Sequence, residues 1–231
     1  MKRILKIFIL CATLPVCSIY AENLTQYVNP MIGTDGYGNV YPGAQIPFGG
    51  IQISPDTDAK FYDAAAGYKY NHTSILGFSL THLSGTGIPD LGDFLFIPGT
   101  GEMKLEPGTR ENPLEGYRSR YSHEKEWASP NYYAVELSDY GVKAEMTAGL
   151  RSGMFRFTYP KSDKAFIMID MNHTLWQNCE WSNLRMENDW FFVKFGGNLF
   201  FISMVFLFFF LNPIKSCRYV CFLVTLKTPH H

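Results

Sequence analysis

Three short stretches of the 231-residue sequence concentrate residues able to do chemistry. In "GTDGYGNVYPG", Asp35 and Asn39 stand among glycines, where short polar side chains can either hydrogen-bond the hydroxyls of a ligand or cap their own turn. In "THLSGTGIPDLGD", His82 lies among Thr81, Ser84 and Thr86; a neutral imidazole there can donate to a ligand hydroxyl, orient a neighbour or brace its loop. Asp90 and Asp93 close the same stretch at a spacing open to an acid–base pair or a cation site, although two exposed turn aspartates are the commoner arrangement. "IDMNHT" offers Asp170, Asn172 and His173, superficially a cation cluster, for which polarity at a strand end is the better explanation. Asp56 and Thr57 in "SPDTD" follow an apolar run, where Asp begins turns.

The elements that must position these residues read as strands. Runs such as "FGGIQISP", "DFLFIPG", "SGMFRFTYP" and "KAFIMIDM" are short, apolar or alternating, and punctuated by turn residues. "AVELSDYGVKAEMTA" has the form of a hairpin turning at Asp139, Tyr140 and Gly141. In "GMFRFTYP" a period of two places Phe155, Phe157 and Tyr159 on one face, read as core, and Arg156 and Thr158 on the other. Between the strands run long loops, 56–68 and 81–92, and ahead of them the stretch 29–50, whose glycines and prolines set backbone angles that ordinary residues resist. Shaped loops on a rigid scaffold are where binding concentrates.

Composition agrees with an all-β chain: aromatic residues make up 16% and charged ones 18%, with 20 Gly and 13 Pro. A net charge of −1 gives no basic surface for nucleic acid. Residues 1–21 have the form of a signal peptide, with basic Lys2, Arg3 and Lys6, an apolar stretch and small residues ending at Ala21. Lipid modification at Cys17 in "LPVCS" is the rival processing, against which Val16 is bulkier than the residue wanted before such a cysteine. Cleavage after Ala21 leaves Cys179, Cys217 and Cys221, too late in the chain to staple the main domain. The Asn-x-Thr triplets at Asn23, Asn71 and Asn172 are acceptors only in a eukaryotic secretory pathway. After Asp189 the chain becomes apolar without a turn-strand rhythm; its unbroken run, 199–211, is shorter than the ~20 residues of a membrane helix. The expected organisation is a signal peptide (1–21), a β-domain (22–188) and an atypical apolar tail (189–231).

Four collinear blocks, "YVNPMIGTDGYGNVYPGAQIPFGGIQISPDT", "YDAAAGYKY", "ILGFSLTHLSGTGIPDLGD" and more loosely "YAVELSDYGVKAEMTAGLRSGMFRFTYP", resemble glycoside hydrolase family 92, secreted bacterial exo-acting α-mannosidases. The resemblance implies an antiparallel β-sandwich followed by an (α/α)6 barrel, with the pocket between them and α-mannoside glycans as partners. It implies inversion by a pair of carboxylates and a calcium ion on the sugar hydroxyls, all placed in the barrel, which this chain ends before. No catalytic or metal-binding residue is therefore assigned within it, and whether the chain alone is an enzyme stays open. Asp35, Asn39, Tyr62 and His82 are the residues through which the sandwich is expected to touch sugar. Tyr62 stands where the family often has Trp, suited to stacking on a pyranose or to domain packing, and Leu80 stands where many relatives have a second histidine. The tail matches neither sandwich nor barrel, as a frameshift or early end would leave it. The implied location is secreted, in the periplasm or outer membrane of a Gram-negative bacterium, with a membrane contact only through lipidated Cys17 or the tail. A stand-alone carbohydrate-binding sandwich and a membrane-tethered sandwich protein are the alternatives.

Overall fold

The computed structural model describes residues 22–59, 64–85, 91–175, 181–187, 190–196, 202–211 and 217–227, with side chains up to 175 and at 182–185. The expected signal peptide 1–21 with Cys11 and Cys17, Tyr62, Thr86, Asp90 and Cys179 lie outside the described residues. In chain order the strands are β1 (Ala44–Gln45), β2 (Gln52–Asp56), β3 (Ser74–Ile75), β4 (Gly77–Ser79), β5 (Leu95–Thr100), β6 (Ser119–Arg120), β7 (Glu126–Ser129) and β8 (Tyr132–Leu137). They continue with β9 (Val142–Ala148), β10 (Ser152–Thr158), β11 (Ala165–Asp170), β12 (Trp181–Glu187), β13 (Trp190–Gly196), β14 (Ile202–Leu211) and β15 (Cys217–Lys227). Helical geometry among the described residues is limited to short 3-10 turns such as Leu24–Tyr27.

All pairings are antiparallel and gather into a five-stranded sheet, β1-β2-β4-β5-β11, and an eight-stranded sheet, β12-β13-β14-β15-β10-β9-β8-β7, with β3 and β6 forming a separate ribbon. The two sheets face each other over one core, as the sandwich expectation requires. Ile53, Phe78 and Phe96 enter it from the smaller sheet and Val135, Ala144, Met146, Phe155 and Phe157 from the larger. Phe155 and Phe157 are fully buried, stacked with ring centroids 5.4 Å apart, while Arg156 between them points outward. Burying each ring contributes about 1.5–3 kcal/mol. The hairpin turn stands where the alternation placed it, Leu137 pairing with Val142 and the Gly141 N–H donating to the Leu137 carbonyl at 2.8 Å.

The smaller sheet is covered on its other face as well. Phe78 pairs with Phe96 toward the main core, so Leu95 and Ile97 turn outward and join Leu76 and Tyr117 in a second cluster. Ser54, Pro55 and Asp56 of β2 are consequently all buried, and a polar side chain there must find protein partners.

The tail's described backbone continues the larger sheet. β15 pairs with β10 from Ser152↔Leu223 to Thr158↔Cys217, and the boundary expected at 188 falls within the β12–β13 hairpin. Aromatic and β-branched residues such as those of "FISMVFLFFFL" suit an extended backbone even where no alternation marks one. No helix among the described residues is long and apolar enough to cross a membrane.

Candidate functional site

The His82 loop and the Gly67 turn, both within loops singled out by sequence, meet at a buried carboxylate. Asp56 ends β2 with its side chain fully enclosed. Its Oδ1 lies 2.7 Å from His82 Nε2 and its Oδ2 lies 2.6 Å from His173 Nε2. Burial by itself would raise the Asp56 carboxyl, but the charges and hydrogen bonds of His82 and His173 outweigh it and hold the group well below the usual carboxylate range. A third segment reaches the same point: Gly67 has φ +83, and a Cβ there would lie 2.1 Å from Asp56 Oδ1, so only glycine fits.

His82 is 2% exposed and fully engaged. Its Nδ1 faces the Gln52 carbonyl oxygen at 2.7 Å, the Ser79 hydroxyl lies 3.1 Å from Nε2, and the Tyr41 ring packs with its centroid 5.1 Å away. Of the roles open to it from sequence, loop bracing is the one its contacts serve; a sugar hydroxyl would have to displace one of these partners.

The flanking loop is braced the same way. Thr81 donates from Oγ1 to Asp93 Oδ2 at 2.8 Å, and the Gly92 N–H donates to the Thr81 carbonyl at 2.8 Å. Asp93 is 5% exposed, which corrects its reading as an exposed turn aspartate. Asp170, Asn172 and His173 do not converge: Asp170 Oδ2 accepts from the Tyr117 hydroxyl at 3.0 Å, Oδ1 accepts from the Asn172 N–H, and His173 turns to Asp56.

The Gly/Pro loop joins the His82 loop through one backbone bond, the Gly85 N–H donating to the Asn39 carbonyl at 2.7 Å. Asn39 is 5% exposed with φ +46; its Nδ2 donates to the Tyr37 carbonyl at 3.3 Å, and its Oδ1 is buried without a partner. A buried acceptor left unpaired costs about 1–3 kcal/mol, which a ligand donor could recover. Asp35 is exposed on the same loop, at a turn closed by the Gly38 N–H and the Asp35 carbonyl. Tyr37 beside it is 91% exposed.

Thus the structure brings Asn39 and His82 to one locality, leaves Asp35 on the rim of the loop, and does not describe Tyr62. Asp56 and His173 were missed as a unit. Their sequence distance from His82 carries no local signal; the trace available was a charged residue at the end of an apolar strand that is buried on both sides.

Comparison with known proteins bears on what this arrangement serves. Residues 27–194 match the family described as Glycosyl hydrolase family 92 N-terminal domain. The structure of a family 92 α-mannosidase from Bacteroides thetaiotaomicron is similar at TM-score 0.75 and 62% identity, covering 89% of this chain and 32% of that one. The same enzyme has been solved in complex with mannoimidazole. A further family 92 glycosyl hydrolase, 21% identical with TM-score 0.67 over 88% of this chain, shares the fold. An uncharacterized secreted glycosidase of Arthroderma benhamiae is 28% identical over 149 residues, which are 64% of this chain and 19% of that protein. The chain therefore spans about a third or less of the length of these relatives.

Proposed function

The chain belongs to glycoside hydrolase family 92, through the family's N-terminal domain, and on that premise we propose that it forms one wall of an α-mannoside pocket in a secreted, calcium-dependent, inverting exo-α-mannosidase. The observation that carries this is the 62% identity to an α-mannosidase over 89% of the chain, and the family match over residues 27–194 includes both loops joined at Asn39 and Gly85. The relative solved with mannoimidazole supports a mannose-like ligand, and the Arthroderma relative described as secreted supports export. The periplasm or outer membrane is the location that goes with residues 1–21 read as a signal.

In this reading Asn39 offers an unpaired acceptor to a sugar hydroxyl, Asp35 lies on the rim of the same loop, and His82 sets the loop behind them, with Tyr62 the aromatic proposed to stack on the sugar. The described residues do not fit calcium: among them no group of three His, Cys, Asp or Glu side chains is placed to hold a metal ion, and both Asp56 oxygens are engaged by histidine nitrogens. No step is derived through the ion, whose ligands are proposed to lie outside this domain.

Inversion requires an acid and a base carboxyl roughly 6.5–9.5 Å apart across the scissile bond. The buried carboxylates among the described residues are committed elsewhere, Asp56 to histidines, Asp58 to Arg110, Asp93 to Thr81, Glu126 to tyrosines and Glu145 to Arg156. The chain alone should accordingly not release 4-nitrophenol from its α-mannoside above background, with calcium or with a chelator. Robust, chelator-sensitive turnover by the purified chain would place the chemistry within it and overturn the proposal.

A further inference from the structure

We propose that Asp56, His82 and His173 form a fixed-charge clamp in which His82 is held as an imidazolium, making Asp56 a positioning residue for the loops of the pocket. The donors and acceptors around the two rings, with their relative basicities, are the ground for it. The Gln52 carbonyl oxygen can only accept, so His82 Nδ1, 2.7 Å away, carries a hydrogen. His82 Nε2 faces Asp56 Oδ1 at 2.7 Å, and the other carboxyl oxygen faces His173 Nε2 at 2.6 Å. The hydrogen between Asp56 Oδ1 and His82 Nε2 belongs on the stronger base, the imidazole, whose reference value is ~6.5 against ~3.9 for the carboxyl, and the depressed Asp56 carboxyl agrees with an ionised acceptor there; the Ser79 hydroxyl, at 3.1 Å, is the more distant neighbour of that nitrogen. His82 Nε2 therefore carries a hydrogen as well, and the ring is cationic rather than the neutral imidazole read from sequence. With a neutral His173 donating from Nε2, the clamp has no net charge, the condition under which buried ions are tolerated.

Two other histidines sharpen the assignment. His72 Nε2 lies 2.5 Å from Arg110 Nη1, a guanidinium that can only donate, so that nitrogen is bare; Nδ1 takes the hydrogen toward Thr57 Oγ1 at 2.9 Å. His123 faces two acceptors like His82, Glu126 Oε2 at 2.5 Å and the Tyr70 carbonyl at 2.8 Å, but its side chain is 36% exposed and water can replace either partner. Among the described histidines, only His82 joins two acceptors with a side chain that is fully enclosed.

The clamp draws the 81–85 loop, the 171–175 segment and the Gly67 turn onto the end of β2, and the first of these carries the Gly85 N–H that meets Asn39. That this presets a sugar pocket rests on the mannoside reading. The protonation of His82 does not.

The test is long-range proton–nitrogen NMR of the full chain labelled at histidine, at pH about 7.5, where a histidine in water, with a reference value of ~6.5, is mostly neutral. Hydrogens are expected on both ring nitrogens of His82 and on one of His72; a bare nitrogen at His82 overturns the clamp. Asp56→Asn, whose amide can donate to one ring while its oxygen accepts from the other, should remove the Nε2 hydrogen of one of the two facing histidines. In the same variant, amide exchange at Gly85 and Gly92 should quicken at least about tenfold while the β8–β10 ladder keeps its protection. Unchanged exchange at those glycines would overturn the positioning role even with His82 doubly protonated. Because neither readout contains a sugar, a failure here is distinct from a failure of the mannoside assignment.

Discussion

Asp56 and Glu126 are the two most enclosed acidic side chains with histidine partners, at 0% and 1% side-chain exposure, and they are satisfied by different chemistry. Asp56 sits between imidazoles supplied by loops. Glu126 begins β7 and sits among phenols: Tyr68 donates to both its oxygens at 2.9 and 3.1 Å, Tyr133 donates to Oε1, and Tyr121 lies behind with its hydroxyl 3.4 Å from that of Tyr68. Burial first, then the surrounding negative charge, pushes the Tyr133 hydroxyl far above the ordinary phenol value, and burial does the same at Tyr68. Phenols so placed are donors at every pH the fold meets. The Glu126 knot therefore ties Tyr68, Tyr133 and β7 into the core as a fixed unit, whereas the Asp56 knot ties the loops that carry His82 and His173 to the end of β2. A fold that must both stand rigid and shape a pocket separates the two tasks in this way.

Removing Asp56 should show the difference most strongly. Asp56→Ala strands two buried histidine donors, one of them cationic, and breaking a buried pair in this way costs about 3–5 kcal/mol. Urea unfolding of variant and parent measures it; a loss below about 1 kcal/mol would mean that water reaches the clamp. Glu126→Gln keeps an oxygen for the tyrosines and faces a partly exposed His123 that water can reach, so its loss should be smaller, about 1 kcal/mol, near the net worth of one hydrogen bond. A Glu126→Gln loss equal to that of Asp56→Ala would break the comparison.

Acid titration separates them further. The folded-state Asp56 carboxyl lies below its unfolded value of ~3.9, so the stability it contributes is complete above that value and is lost as pH falls through the folded-state value. The parent should lose stability below about pH 3.9, and Asp56→Asn, which has nothing to protonate there, should show a shallower acid limb. Identical limbs would assign the acid loss to other carboxylates.

How much of this was legible in the sequence follows from how far each contact reaches along the chain. The alternation around Phe155 and Phe157 and the turn at Gly141 are local, and both appear where the pattern put them. Asn39 advertised its role through the company of glycines, since Asn is among the few residues that tolerate its φ of +46. The Asp56 clamp was invisible because its partners lie 26 and 117 positions away, and a strand buried on both faces leaves no alternation by which a polar member could be placed. The tail concealed its extended backbone for the same reason, its apolar residues being continuous rather than alternating.

The smallest expected effect concerns the loop itself. Asp35 and Asn39 are four residues apart on one Gly-rich turn, yet one is exposed and the other buried. Asp35→Ala leaves in place the backbone bond between Gly38 and Asp35 and exposes nothing new, so unfolding free energy should stay within about 0.5 kcal/mol of the parent. Asn39→Ala removes the bond to the Tyr37 carbonyl and forces alanine into a left-handed conformation that costs roughly 1–2 kcal/mol, offset in part because the unpaired Oδ1 goes with it. The net loss should be about 1 kcal/mol, measured beside Asp35→Ala in the same urea series. If Asp35→Ala proves as costly as Asn39→Ala, the aspartate caps the turn and its exposure is not a surface kept for sugar. If Asn39→Ala is neutral or stabilising, the unpaired acceptor was the dominant cost at that position, which is the signature of a group held ready for a donor that arrives with the ligand.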